Sequence, residues 1–489
     1  MPLDDNPFFL AVRRHADCML EYGRGPGGEA PGPLFAGVVD PLRRCPPLHQ
    51  MIPPPGVRIN DVSSLGNNLM HDVPLLETLL ALSQATGEQR YAQAVEDIFA
   101  FYPKHCPYPG TGLFPWGEHA QWAFGGKRPW PNCVIDPFFF HATGAIIHEH
   151  LRFAPAWLWE RMWASDAEAV LRFCRGLDRH LMNRDTFEHN RHAPLTEYAW
   201  NELPYKGPGK DFARHAGFFI FDCCFAWKKS GEGDLLDWAR RKLRYHLERR
   251  HADGIVKGCI RTPAEAGEGQ HDSLALSTWD AGQCMGEGTP EGREFLVIAG
   301  ELFDARAKKM AAAPFEAGAL DPGGAWRYGY GGAVPGGMGV RLPLQAWQRT
   351  GGQGFADIVV AVAERLADSP PPPDGLPVVA GAFLNNLDVP LAAYDVTGDR
   401  RHLARAETVG RWALERLATS GLFVGSANVE YYGEKNMMYS VLGCVNKPSD
   451  RPGYYFSNTG TPELVRQLLR LAILAEGKED ALGVSGHYR

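Results

Sequence analysis

Four stretches of the chain gather the side chains that do acid–base and metal chemistry. Trp116-Gly117-Glu118-His119 lies in a glycine- and proline-rich stretch. His148-Glu149-His150 closes the segment DPFFFHATGAIIHEHL, Phe187-Glu188-His189-Asn190-Arg191-His192 follows, and Arg214-His215 completes the set. Two or more neutral imidazoles with a carboxylate suit a borderline divalent cation such as Mn, Zn or Fe. They leave coordination positions open for substrate oxygens. The spacing is not the HExxH of a helical zinc site, so the ligands must come from separate segments that the fold brings together.

Sugar-facing chemistry has its own candidates. WRYGYGG (326–332) carries Arg327, Tyr328 and Tyr330 on a glycine-rich loop. Either tyrosine can act as general acid, or as both base and acid; the same pattern also suits a turn whose rings pack inward. Trp116, Trp122, Trp130, Trp200, Tyr205, Trp279 and Trp326 lie in loop segments, where rings either stack on sugars or fill the core. Trp116, Arg214, His215 and Arg327 are taken as substrate contacts.

A scaffold must hold these segments, and a repeated pattern supplies one. An apolar helix ends in Thr or Ser, then Gly, often then an acid, and an amphipathic helix follows. The pattern runs through 75–99, 221–247, 342–366 and 389–414, with a weaker copy at 465–482. Glycine in the left-handed region ends the first helix, and the next polar residue starts the second. One such hairpin cannot bury its own apolar face, but a stacked series can, and closing the series makes a ring. The expected fold is all-α, an α/α toroid of six or seven hairpins with long cleft-forming loops, in one catalytic domain over 1–489. The stretches 103–136, 193–212, 257–296, 317–340 and 420–460 read as the rim and floor of the cleft. SPPPPDG (369–375) reads as a surface connection, because the hairpins continue on both sides of it.

Composition narrows the function classes. The formal net charge is −7 and no basic stripe stands out, which gives nucleic-acid binding no support. Local Arg and His can still make a cleft that takes a polyanion. The N-terminal MPLDDNPFFLAVRRHADCML puts acids before a broken apolar run, the reverse of a secretory signal. No run reaches the length of a membrane helix. The ten cysteines show no CxxC spacing and read as buried reduced thiols. Together these favour a cytoplasmic protein, monomer or homodimer, with no membrane partner.

Three segments carry a family resemblance. GLFPWGEH (112–119), HEHL (148–151) and TFEHNRHA (186–193) resemble, in the same order and with similar gaps, the Trp-Gly-Gly-His, His-Glu-Leu-Lys and Arg-His segments of the family 2 pectate lyases. The resemblance covers roughly the first half of the chain. It implies an incomplete barrel of seven hairpins, with six as the alternative. It also implies a manganese-type cation, with Zn, Ca or Mg as alternatives, held by His119, Glu149 and His192, with Arg191 as Brønsted base. The chain departs from the pattern at Glu118, where the family has Gly, and at His150 and Arg152, where it has Leu and Lys. His150 can replace Glu149 as ligand or contact substrate.

The implied reaction is metal-assisted β-elimination on a uronic-acid oligosaccharide or polysaccharide, pectate or oligogalacturonate leading. The C5 proton of a uronate is weakly acidic while its carboxylate keeps full charge, so a cation that neutralises the carboxylate lowers the barrier. An arginine base is unusual, with a solution pKa above about 12; alternatively Arg191 clamps the substrate carboxylate. Other readings stay open: an inverting or unsaturated-uronyl glycoside hydrolase, which needs two carboxylates about 6.5–9.5 Å apart, a sugar epimerase with His119, His192 and His215 exchanging a proton, or a sugar-binding toroid without catalysis.

Overall fold

The computed structural model describes residues 3–26, 31–51, 53–54, 57, 61–132, 146–196, 211–259, 268–312, 325–326, 337–375, 378–427, 430–436, 440–445 and 453–487. These residues form α1 (Pro7–Tyr22), α2 (Leu69–Thr86), α3 (Gln89–His105), α4 (Ala156–Ser165), α5 (Ala167–Gly176), α6 (Ala213–Ser230) and α7 (Gly233–Leu247). They continue with α8 (Glu268–Met285), α9 (Pro290–Ala312), α10 (Gly337–Thr350), α11 (Gln353–Leu366), α12 (Ala380–Thr397), α13 (Arg400–Leu417) and α14 (Thr461–Ala475).

The repeated turn has a clear local cause. α2 ends at Gly87, α6 at Gly231 and α12 at Gly398, with φ of 76°, 76° and 67°. Glycine takes this left-handed conformation without the Cβ penalty. The preceding hydroxyl works twice. Thr86 Oγ1 donates to the Leu82 carbonyl at 2.7 Å and accepts the Glu88 N–H at 3.1 Å. Ser230, Thr350 and Thr397 repeat the same pair of bonds. The acid after the glycine is a weaker rule. Asp399 caps the Arg401 N–H at 2.9 Å, whereas Glu88 and Glu232 make no side-chain cap.

The helices sort into two rings. α2, α6, α8, α12 and α14 are buried on nearly every side over most of their length. α3, α7 and α13 bury one stripe only, as an outer helix should. α4 joins the inner ring between α2 and α6: Trp157 Nε1 donates to Glu77 at 3.1 Å and Trp159 Nε1 to Asp222 at 2.9 Å. α6, α8, α10, α12 and α14 pack in sequence and α14 packs on α2, while α4 bridges α2 and α6 through the two tryptophan bonds. Among the described residues six hairpins run α2–α3 to α12–α13, and a seventh joins α14 to α1.

Two expectations are corrected here. The segment 465–482 is not a hairpin of its own. Its first helix is α14, residues 478–487 form no helix, and the outer partner comes from the other end of the chain. The stretch 257–296 is not simply a loop, because it contains inner helix α8. A helix buried on all sides carries no amphipathic stripe, and α8 is polar besides.

Short ribbons cap the ring at the N-terminal ends of inner helices α2 and α6. β1 (Arg24–Pro26) pairs with β2 (Pro31–Phe35), and β3 (Val38–Val39) pairs with Tyr455–Phe456. β4 (Gly66–Asn67), β5 (Ala120–Ala123) and β6 (Arg128–Pro131) form one sheet. β7 (Ile147–Glu149) pairs with β10 (His192–Pro194), and β8 (Leu181–Asn183) pairs with β9 (Glu188–His189). Among the described residues no helix is long and apolar enough to cross a membrane.

Candidate metal and catalytic site

The site is built where the turn before β5 crosses the β7–β10 ribbon. In that antiparallel ribbon His192 stands directly opposite Glu149, and Ala193 opposite His148. Residues directly opposite in a ribbon share a face, so Glu149 and His192 point the same way. Successive residues alternate faces, which sends His148 and His150 the other way, into the core.

The turn bearing Glu118 and His119 depends on Gly117, whose φ is 93°. A Cβ built there would lie 1.7 Å from the Glu149 carbonyl oxygen, so only glycine allows this approach. Asn68, the N-cap of α2, donates to the carbonyls of Gly117 at 2.7 Å and Ala120 at 3.1 Å. Asn132 donates to the Glu118 carbonyl at 2.7 Å and is itself held by Ser63 at 3.0 Å. The turn is thereby fixed from both sides.

Glu118, His119, Glu149 and His192 each offer one ligand atom, all within 4.8 Å of one another. His119 Nε2 lies 3.4 Å from Glu118 Oε2 and 3.6 Å from Glu149 Oε2; His192 Nε2 lies 3.3 Å from Glu149 Oε2. Ligands about 2.1 Å from one cation stand about 3.0–3.5 Å apart at right-angle to tetrahedral geometry, so the spacing fits a single ion. The two Glu149 oxygens divide the work. Oε2 faces the two imidazoles, while Oε1 lies 3.3 Å from both Arg191 Nε and His215 Nε2. None of these approaches is an aligned hydrogen bond, leaving both oxygens of a fully buried carboxylate without one. Such orphaned acceptors call for a cation. Two imidazoles and two carboxylates are a fitting donor set for Mn or Zn.

Electrostatics agree with a charged Glu149. Burial pushes its carboxyl up most, but Arg191, then His192 and His215, outweigh burial and hold it well below the usual carboxylate range. His215 is pushed down to about 3, by burial first, with Glu149 opposing. Arg214, beside it at the start of α6, is lowered to about 10 by burial and by the charge of Arg191.

A relay of buried rings supports the ribbon from behind. Trp116 Nε1 donates to His148 Nε2 at 2.9 Å, His148 Nδ1 meets His180 Nε2 at 2.7 Å, and His180 Nδ1 meets the Asn190 carbonyl at 2.8 Å. The indole N–H at one end fixes each tautomer in turn, with both imidazoles donating toward Asn190. Asn190 Oδ1 accepts the His192 N–H at 3.0 Å.

The structure thus brings His119, Glu149, His192, Arg191 and His215 together, with Arg214 next to His215. His215 has no exposed surface and its Nε2 faces Glu149, so its reading as a substrate contact is corrected. It separates others. Trp116 has no exposed surface and its N–H is spent on His148, so its reading as a sugar contact is corrected. His150 is likewise fully buried and lies 3.1 Å from Asp222, so its reading as substrate contact or replacement ligand is corrected too. The alternation of β7 is the physical reason: Glu149 takes the open face. Arg327, Tyr328 and Tyr330 lie outside the described residues. Glu118, a departure from the resembling segment, is the fourth ligand candidate, and its acidity and adjacency to His119 are the signal for it in the sequence. His148 and His180 were not singled out as positioning residues, and nothing in the local sequence marks them.

The fold is an α/α toroid, and the family match that follows supports a carbohydrate-acting enzyme on it. Within that class, residues 61–256 match the family described as periplasmic pectate lyase, and all three resembling segments fall inside the match. Among solved structures, the chain is similar to cellobiose 2-epimerase from Spirochaeta thermophila, with 12% identity, 96% of each chain covered and a TM-score of 0.41. It is similar to D-mannose isomerase, with 13% identity, 96% of this chain and 99% of that one covered and a TM-score of 0.40. A polysaccharide lyase shares 11% identity over 94% of this chain and 52% of its own, with a TM-score of 0.38. These likenesses are distant, and the toroid rests on the helix packing described above. No curated protein matches the chain. The cytoplasmic expectation is corrected: the matching family is described as periplasmic, which points to the periplasm.

Proposed function

We propose that the chain is a single catalytic toroid that cleaves a uronic-acid oligosaccharide or polysaccharide, pectate or oligogalacturonate foremost, by metal-assisted β-elimination. The observation that carries this reading is the convergence of Glu118, His119, Glu149 and His192 within 4.8 Å, with Arg191 Nε 3.3 Å from Glu149. A divalent cation, manganese foremost, held by these four residues would neutralise the uronate carboxylate and so acidify its C5 proton. Arg191 accepts this proton once it has lost its own to solvent, a neutral form that a cation beside His192 would favour over the charged guanidinium. Its position 3.3 Å from Glu149 orients it for the transfer. Arg214 and His215 line up behind it on α6, where Arg214 offers a second guanidinium for the substrate carboxylate. Tyr328 and Tyr330 stay candidates for returning a proton to the leaving O4.

Within the ion cluster itself the competing chemistries fit less well. An inverting hydrolase needs its carboxylates about 6.5–9.5 Å apart, and the ligand oxygens of Glu118 and Glu149 lie within 4.8 Å. An epimerase must place a sugar between two bases, which takes about 7 Å of ring-to-ring space at van der Waals contact. The His119 and His192 ring centroids are 5.3 Å apart. The test is product chemistry: a lyase makes a conjugated 4,5-unsaturated uronate that absorbs in the ultraviolet, and a hydrolase or epimerase does not. Reducing ends without that absorbance would refute the proposal.

A further inference from the structure

A second cleft, of about 770 Å³, opens on the ribbons beside this site. Its walls come from the end of α1, from β1, and from the β5–β6 hairpin that begins one residue after His119. That volume is typical of a ligand site. Among the described residues its charged lining is all basic: Arg24, Arg44 and Arg128. Its rings are Tyr22, Phe124 and Trp130, all partly exposed. Two guanidinium groups already lie over ring faces, Arg128 at 4.4 Å from the Trp130 centroid and Arg44 at 4.9 Å from that of Tyr22. Acidic neighbours stand outside the lining: Glu21 pairs with Arg44 at 2.6 Å and Asp97 lies 4.0 Å from Arg24. Arg24 is lowered by burial, and its Nε is buried without a hydrogen bond.

Guanidinium forks match carboxylates, and indole and phenol rings match the apolar faces of pyranoses. A ligand that offers both, at repeating intervals, is an acidic polysaccharide. The register sets the distance to the ion cluster. The Asn132 N–H pairs with the His119 carbonyl, and Trp130 pairs with Gln121 two residues along. At about 3.3 Å per residue, Trp130 is about 7 Å and the hairpin tip about 16 Å from the ligand end of β5.

We propose that this cleft is a second binding site for acidic saccharide, holding the part of the chain that extends beyond the ion cluster. The inference rests on the acidic-saccharide reading above and adds a distinct binding surface to it. The test is calorimetric binding of digalacturonate and hexagalacturonate, with a neutral cello-oligosaccharide as control, to the full chain and to R44A/R128A and W130A. Both arginines are exposed on the surface, so the double variant reads binding even where W130A perturbs the hairpin. Each variant is expected to bind hexagalacturonate about tenfold more weakly and digalacturonate within about twofold of the parent. Hexamer binding should also weaken with added salt.

Unchanged hexamer affinity in R44A/R128A overturns the inference, as does equal binding of the neutral oligomer, or no binding of the hexamer to the parent. Cleft-dependent hexamer binding without any unsaturated product supports the cleft and refutes the lyase reading. Unsaturated product with cleft-independent binding does the reverse.

Discussion

Glu149 and His192 face each other across an antiparallel two-stranded ribbon, with Oε2 and Nε2 3.3 Å apart, while the other oxygen of Glu149 lies 3.3 Å from Arg191. One buried carboxylate therefore touches both the candidate ion cluster and the candidate base. Glu149→Ala is expected to abolish activity, because the ion cluster loses its central carboxylate, and to lower stability, because Arg191, His192 and His215 lose a charged neighbour. Glu149→Gln should keep more of the stability while losing metal affinity. Chemical denaturation and metal titration of both variants check this.

Gly117 offers a test that leaves every ligand in place. Gly117→Ala puts a methyl group 1.7 Å from the Glu149 carbonyl, at a φ of 93°. The turn must move, and His119 with it. A loss of metal affinity of about tenfold or more is expected, by isothermal titration, with the helical circular dichroism unchanged.

The ring relay behind the ribbon makes a milder, separable claim. His180→Ala breaks the 2.8 Å link to Asn190 and leaves His148 Nδ1 without its acceptor. Metal affinity is expected to fall about 10- to 100-fold. His180→Gln, which can still donate to Asn190, should recover part of it.

Stability should fall on both sides of neutrality. Burial lowers His15, His71, His180 and His487 to about 3. The unfolded chain takes up these protons first, so their contribution is present above pH about 6.5 and is lost as pH falls towards about 3. At pH about 5.5 each costs about 1.4 kcal/mol. Burial raises Glu463 to about 8, so the folded chain keeps this proton. That contribution is full below about 4.5 and is lost as pH rises through about 8. Thermal unfolding across pH should show both declines, and Glu463→Gln should flatten the alkaline one.

Much of this architecture was legible because its signals are local. The Thr/Ser–Gly turn marks hairpins since one hydroxyl and one left-handed residue make it, as at Thr86-Gly87 and Thr397-Gly398. His119, Glu149 and His192 could be picked out by motif order. What could not be read is the side each residue faces. HEH (148–150) offers three equivalent candidates, and only the pairing of β7 with β10 sends Glu149 to the cluster and its neighbours to the core. The closure of α14 on α1 was hidden for a similar reason: it joins segments more than 400 residues apart.

The most direct test is the ultraviolet absorbance of unsaturated product from polygalacturonate, with the chain stripped by chelator and then given Mn, alongside His119→Ala. The expected result is activity that vanishes on stripping, returns with the ion, and does not return in His119→Ala. Full activity in the stripped chain, or in His119→Ala, would contradict the claim that these four side chains hold a working cation.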